Sequence, residues 1–167
     1  THLTNANHDT VKAFAVGSDQ VRIDATFTTG NITDGAVTGE YQTDAAAGAV
    51  AVAAGEVIVE LSWEFDADVD LDTATKTDFL SALGAADDAT NSSKTAQTFT
   101  VDADQDAVMA IAYQDSNAYF FKITDGANGG TDAAETILAS ESTDLFELVG
   151  VFEDIAVGGF TFGDFVA

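Results

Sequence analysis

Two stretches of this chain place apolar residues on every second position. From Glu56 to Phe65, Val57, Val59, Leu61, Trp63 and Phe65 alternate with Glu56, Ile58, Glu60, Ser62 and Glu64, the period of a strand with one buried face. Gln20–Phe27 repeats the pattern, setting Val21, Ile23, Ala25 and Phe27 against Gln20, Arg22, Asp24 and Thr26. Val11–Val16 reads as a short strand before it, separated by the turn residues Gly17, Ser18 and Asp19. Further strand runs are expected at Thr95–Val101, Ala107–Gln114, Ala118–Thr124, Leu145–Phe152 and Phe160–Val166. Turns rich in Asp or Gly divide them at Asp102–Asp106, Asp115–Asn117, Asp125–Asp132 and Gly158-Gly159. Thr28–Gly39 is a turn region, and Ala45–Ala54 suits either a tightly packed strand or a loop. Only Thr73–Ala86 reads as a helix. Phe79, Leu80 and Leu83 lie at i, i+1 and i+4, Thr77-Asp78 offers a cap at its start or middle, and Gly84 can end it. Short strands at about ten-residue spacing predict a mostly-β fold, a single-domain sandwich or roll over residues 1–167 with one short helix.

Composition narrows the function. The 167 residues include 29 Asp plus Glu against 5 Lys plus Arg, a net charge of −24, with no Cys and no Pro. Without Cys there is no disulfide scaffold, thiol nucleophile or Cys-based zinc site. Five cations cannot neutralise a run of phosphates, so nucleic acid is not an expected partner. No apolar run approaches the roughly 18–20 residues that span a bilayer, and the charge repels anionic lipid, so membrane insertion is not expected. Thr1 is not a translation start, and Thr1–Asp9 lacks a basic stretch followed by an apolar one. The expectation is a processed product or part of a longer chain.

The acids are 21 Asp and 8 Glu, and Asp suits turns and oxygen-rich cation loops better than helices. Calcium is therefore the expected ion, against the plainer reading of a solvated acidic surface. Asp66, Asp68, Asp70 and Asp72 form the densest cluster. On an extended strand their carboxylates would share one side about 6–7 Å apart, close enough to be bridged by a hard cation. The stretch is not an EF-hand, since Leu71 stands at the sixth position and Thr77 at the twelfth. Asp102, Asp104 and Asp106 repeat the character in a turn, and the Gly-rich loop from Asp125 through Asp132 to Glu135 could wrap an ion. His2 and His8, with Asp9, are a weaker metal candidate near the start. No G-x-S-x-G, P-loop or H-E-x-x-H occurs, and a two-carboxylate hydrolase has no partner residues by which to choose its acids.

Three stretches resemble secreted bacterial proteins of the RTX type. Asp9-Thr10-Val11-Lys12-Ala13-Phe14-Ala15-Val16-Gly17-Ser18-Asp19-Gln20-Val21-Arg22-Ile23 is similar to the D-x-I-x-x-F-x-x-G-x-D-x-I-x-L segment of that group. Ala110–Phe121 resembles a hairpin of S-layer-like C-terminal modules. Leu145–Val151 together with Phe160–Ala167 resembles the end of proteins exported by type I secretion, where an acid precedes closing hydrophobics as in Asp164-Phe165-Val166-Ala167. The chain has no G-G-x-G-x-D nonapeptide; Gly129-Gly130-Thr131-Asp132 is the nearest fragment, so the group's calcium roll does not carry over.

The resemblance implies a C-terminal module of an extracellular, cell-surface protein that meets a type I exporter. With the acidity, the expected function is non-enzymatic: a structural subunit that self-assembles as an S-layer or filament, bridged by calcium. The alternative is an adhesin or carbohydrate-binding module on the same scaffold. Phe160, Phe162 and Phe165 allow two destinies for the closing strand Phe160–Val166: filling the chain's own core, or docking into a second copy by strand addition.

Overall fold

The computed structural model describes residues 8–22, 41–44, 50–52, 58–65, 70–84, 99–101, 107–124, 135–136 and 145–166. The strands are β1 (Asp9–Val11), β2 (Val21–Arg22), β3 (Tyr41–Asp44), β4 (Val50–Val52), β5 (Ile58–Glu64), β6 (Phe99–Val101), β7 (Ala107–Gln114), β8 (Asn117–Thr124), β9 (Glu135–Thr136), β10 (Leu145–Phe152) and β11 (Phe165–Val166). One helix, α1 (Lys76–Gly84), follows β5, and a 3-10 turn at Phe162–Asp164 leads into β11. The expected mostly-β fold with one short helix is the fold observed.

The main sheet has six strands in the order β1-β10-β8-β7-β5-β3, beside a three-stranded sheet β4-β6-β9 and a two-stranded sheet β11-β2. Its centre is antiparallel: β7 and β8 form a hairpin, and β10 runs against β8. Its flanks are parallel, with β5 beside β7, β3 beside β5, and β1 beside β10.

Both faces of the centre of this sheet are buried. On one, Val59, Leu61, Trp63 and Phe65 of the β5 segment join Val108, Ala110 and Ala112 of β7, Tyr119, Phe121 and Ile123 of β8, and Phe79 of α1. On the other, Met109, Ile111 and Tyr113 meet Ala118 and Phe120, covered by Val21, Ile155, Phe160 and Phe165. Facing pairs match large with small: Ala112 opposite Tyr119, Ala110 opposite Phe121, Tyr113 opposite Ala118. That pairing lets each layer fill without voids.

Two irregularities keep the apolar sets aligned. In β10 one extra residue between Leu148 and Gly150 shifts the register, so Phe146 and Leu148 share the helix-side face with Val151, while Val149 turns to the other. A single added residue inverts the alternation. In β5 the pairs Glu60–Ile111 and Glu64–Tyr113 enclose two extra residues, which leaves the alternation intact.

Several sequence expectations are corrected in detail. The first strand ends at Val11 rather than Val16, because Ala13 adopts φ 58° and the chain then turns through Ala15–Asp19. Val21–Arg22 is the described part of the second, and 23–40 lies outside the described residues. The closing run is strand only at Phe165–Val166, because the Asp164 side chain draws Thr161 into a tight turn. Tyr41–Asp44 and Glu135–Thr136 were not expected as strands.

The helix is shorter than 73–86, and its cap is Thr75. Thr75 and Asp78 form a reciprocal capping box: the Thr75 amide donates to Asp78 Oδ2 at 2.9 Å, and the Asp78 amide to Thr75 Oγ1 at 3.3 Å. The Thr75 hydroxyl, which donates to Asp78 Oδ2 at 2.6 Å, and then the Thr75 amide hold the Asp78 carboxyl below its ordinary value. Phe79, one position on, inserts between Phe65, Phe121 and Phe146 with ring centroids 4.8 to 5.7 Å apart. Thr75→Ala is expected to cost about 1 kcal/mol of stability, whereas Thr77→Ala, two residues on and exposed, should cost well under that. Equal losses in denaturant melts of the two variants would contradict the cap assignment.

Candidate functional site

Charged chemistry gathers in two places: inside, under the terminal face, and outside, at the end of the sheet where the β7–β8 hairpin turns.

The inner group begins with Glu60, 1% exposed in mid-strand. Tyr113, next along on β7, donates its hydroxyl to Glu60 Oε1, and the Phe160 amide points to the same oxygen at 3.4 Å. Burial raises the Glu60 carboxyl above its ordinary value of 4.5, against the pull of the Tyr113 hydroxyl and the Phe160 amide; the Asp164 carboxylate adds to the rise. Burial and then Glu60 itself push the Tyr113 hydroxyl well above its ordinary 10.0.

Asp164, fully buried, is the second inner acid. Its Oδ1 accepts the Gly17 amide at 2.5 Å, and its Oδ2 accepts both the amide and the hydroxyl of Thr161 at 2.7 Å. Gly17, at φ 74°, occupies the turn position that a side chain would strain. The carboxylate thus ties the turn after β1 to the turn before β11.

The outer group is an acidic rim. The hairpin turn Asp115-Ser116 has φ 51° and 60° at its two central residues, as a two-residue turn matching the strand twist requires. The Ser116 amide donates to Glu64 Oε1 at 2.9 Å, and the Asp154 amide to Asn117 Oδ1 at 3.2 Å. The Leu71 amide donates to the buried Gln114 Oε1 at 3.0 Å. These bonds bring Glu64, Asp70, Asp72, Asp115 and Asp154 to one end. Burial raises the Tyr119 hydroxyl, and the Asp72, Asp70 and Asp115 charges add to that rise.

Of the nine expected calcium ligands, only Asp70 and Asp72 are among the described residues; Asp66, Asp68, Asp102, Asp104, Asp106, Asp125 and Asp132 lie outside them. Residues 70–73 make a turn rather than an extended strand, closed by the Thr73 amide on the Asp70 carbonyl at 3.2 Å. The Asp70 carboxylate accepts the Asp72 amide and the Thr73 hydroxyl, both at 3.1 Å. Asp72 Oδ1 lies 3.4 Å from His8 Nε2, so His8 meets Asp72 rather than Asp9. Among the described residues, no three His, Asp or Glu side chains converge as a ligand set. A shallow cleft of about 300 Å³ lies beside the first turn, lined by Val11, Lys12, Ala13, Phe14, Asp19 and Gln20.

The closing segment packs within its own chain. Phe160 and Phe165 are 3% and 4% exposed, Phe160 lies 5.1 Å from Phe120 and 5.5 Å from Phe152, and β11 pairs with β2. A second copy could take these rings only by exchanging the segment.

The sequence reading missed Glu60 and Asp164. Strict alternation assigned Glu60 to solvent, although the run Val57-Ile58-Val59-Glu60-Leu61 is apolar on both sides of it, which marks a strand buried on both faces. Asp164 entered only as the acid before the closing hydrophobics, within the strand expected at Phe160–Val166, and nothing local announces its bond to Gly17.

Comparison with protein-family models, curated proteins and solved structures finds no match to this chain.

The inner group predicts a pH effect of definite sign. Folding favours the protonated Glu60, so its contribution is whole below pH 4.5 and is lost as pH rises through the higher value it has in the folded chain. Glu60→Gln keeps an acceptor for Tyr113 but does not titrate. The melting temperature of the wild type minus that of Glu60→Gln should therefore fall as pH rises from 4.5 toward neutrality. Two curves that stay parallel would remove Glu60 as the titrating group.

Proposed function

We propose that this chain is a non-enzymatic structural domain of an extracellular, cell-surface assembly, whose copies associate through acidic surfaces bridged by calcium. The observation that carries the reading is the rim, where the exposed Asp70, Asp72, Asp115 and Asp154 are gathered at one end of the sheet by the Leu71–Gln114, Ser116–Glu64 and Asp154–Asn117 hydrogen bonds. A net charge of −24 makes such crowding costly unless cations screen or bridge it. Bridging between copies suits carboxylates that, among the described residues of one chain, form no complete ligand set, because each copy then supplies part of the coordination. The sequence resemblance to secreted RTX-type and S-layer-like modules supports the same location and a type I exporter as partner. Phe160 and Phe165 sit in the chain's own core, so the rim is the favoured contact, ahead of the strand Phe160–Val166. The alternative, an adhesin or carbohydrate-binding module, would use the cleft beside Phe14.

Calcium at a hundred times its dissociation constant should stabilise the fold by about 2.7 kcal/mol. The expected result is a higher melting temperature and growth of scattering particles in millimolar calcium, both reversed by EDTA at constant ionic strength. Melting curves and particle sizes that are the same with calcium and with EDTA would overturn the proposal. Monomers that bind an oligosaccharide would establish the alternative.

A further inference from the structure

The two ends of the described chain are fastened to each other, and the direction of the fastening has a mechanical consequence. Residues 8–22 carry β1 and β2; residues 145–166 carry β10 and β11. β1 lies parallel to β10, with Asp9, Thr10 and Val11 opposite Gly150, Val151 and Phe152. β2 lies parallel to β11, with Val21 and Arg22 opposite Phe165 and Val166. Between the two ladders run further ties. The Glu153 amide donates to the Val11 carbonyl at 3.0 Å, and the Gly17 amide to Asp164 Oδ1 at 2.5 Å. Gln20 Nε2 reaches the Gly163 carbonyl at 3.4 Å, and Lys12 Nζ lies 2.9 Å from Glu153 Oε1. Phe14 fills the seam, its ring 5.2 Å from Phe152 and 5.6 Å from Phe160.

Parallel pairing fixes how this seam meets a pull. Tension applied before β1 and after β11 drags the earlier strand of each pair toward its own start and the later strand toward its own end. The paired strands then slide past each other, and their hydrogen bonds, side-chain ties and ring contacts must yield together. In an antiparallel hairpin opened from its free ends, the bonds yield one pair at a time. The seam links the two ends of the described chain directly, so the force meets it first.

We propose that the seam between residues 9–22 and 150–166 is a mechanical clamp, and that bearing tension along the chain is a function of this domain. The inference goes beyond the calcium-bridged assembly and does not depend on it, since the clamp uses neither the rim carboxylates nor an ion. Asp164 is its central side-chain tie, with one oxygen on each of the two segments.

The test pulls the full chain between identical handle domains fused before Thr1 and after Ala167. The absence of Cys allows a second geometry in the same protein. Ala107→Cys and Thr124→Cys, register partners at the open end of the β7–β8 hairpin, take maleimide-linked handles under reducing conditions and open that hairpin from its free ends. At one loading rate, end-to-end pulling should give the higher rupture force, in a single step that releases roughly 500 Å of chain. Asp164→Asn should lower the end-to-end force more than Val108→Ala, a fully buried core truncation on the opposite face, even where Val108→Ala lowers the melting temperature more. An end-to-end force no greater than the unzipping force, or one that simply follows melting temperature across the variants, would overturn the clamp. Neither outcome bears on calcium-dependent assembly.

Discussion

A hairpin buried on both faces has no side to turn toward water, and this constraint organises the rest of the fold. Val108, Ala110 and Ala112 look one way from β7, and Met109, Ile111 and Tyr113 the other; all are fully buried. Two separate covers are therefore required. On one face α1 supplies Phe79 and β6 supplies Phe99. On the other, the cover comes from the two ends of the described chain, through Val11, Phe14, Val21, Ile155, Phe160 and Phe165. Large aromatic rings suit this role because each removes a wide apolar area from water while holding few rotamers.

The terminal cover is built from short, irregular pieces, and such pieces leave backbone amides without ladder partners. The buried acids meet that need. Asp164 takes the amides of Gly17 and Thr161, and Glu60 takes the Phe160 amide beside the Tyr113 hydroxyl. A carboxylate inside the protein costs desolvation energy, and charge-assisted bonds to amides and hydroxyls offset it. The two acids divide this balance differently. Asp164 has donors on both oxygens. At Glu60 desolvation outweighs the bonds, and the carboxyl rises above its ordinary value. Asp, a poor strand former, is well suited to such a turn, and the same preference for turns fills the surface with acids.

Much of the sheet was legible in the sequence. Ala107–Gln114 and Leu145–Phe152 are strands over the expected residues, because long apolar runs bounded by Asp and Gly leave few alternatives. The β10 bulge was not legible, since one inserted residue leaves no mark in composition. Local pattern also failed to anticipate the parallel flanks, which depend on pairing partners far apart in sequence, such as Val11 with Phe152. The helix cap was displaced by two residues because Thr73, Thr75 and Thr77 offer similar hydroxyls; Asp78, three places after Thr75, completes the reciprocal pair. The site was the least legible part. Sequence ranked acids by density, and so pointed to Asp66–Asp72. The structure gives Asp70 a capping duty within its own turn and gives structural duty inside to Glu60 and Asp164, isolated acids in apolar or Gly-containing surroundings.

Salt and cations should act unequally on the exposed rim and on the seam between the two ends of the fold. The rim acids Asp70, Asp72, Asp115 and Asp154 are exposed, and repulsion among exposed charges more than about 8–10 Å apart is largely screened at physiological ionic strength. The Lys12–Glu153 pair, with Lys12 mostly in solvent, is worth little and weakens further with salt. The remaining ties of the seam are of another kind. The Glu153 amide on Val11, the Gly17 amide on Asp164 and the Phe14–Phe152–Phe160 contacts are short-range and partly or wholly withdrawn from water. Raising salt relieves the rim while leaving these contacts nearly unchanged. The hold between the two ends of the fold is thus set by the backbone, the buried Asp164 and the aromatic seam, and not by the acidic surface.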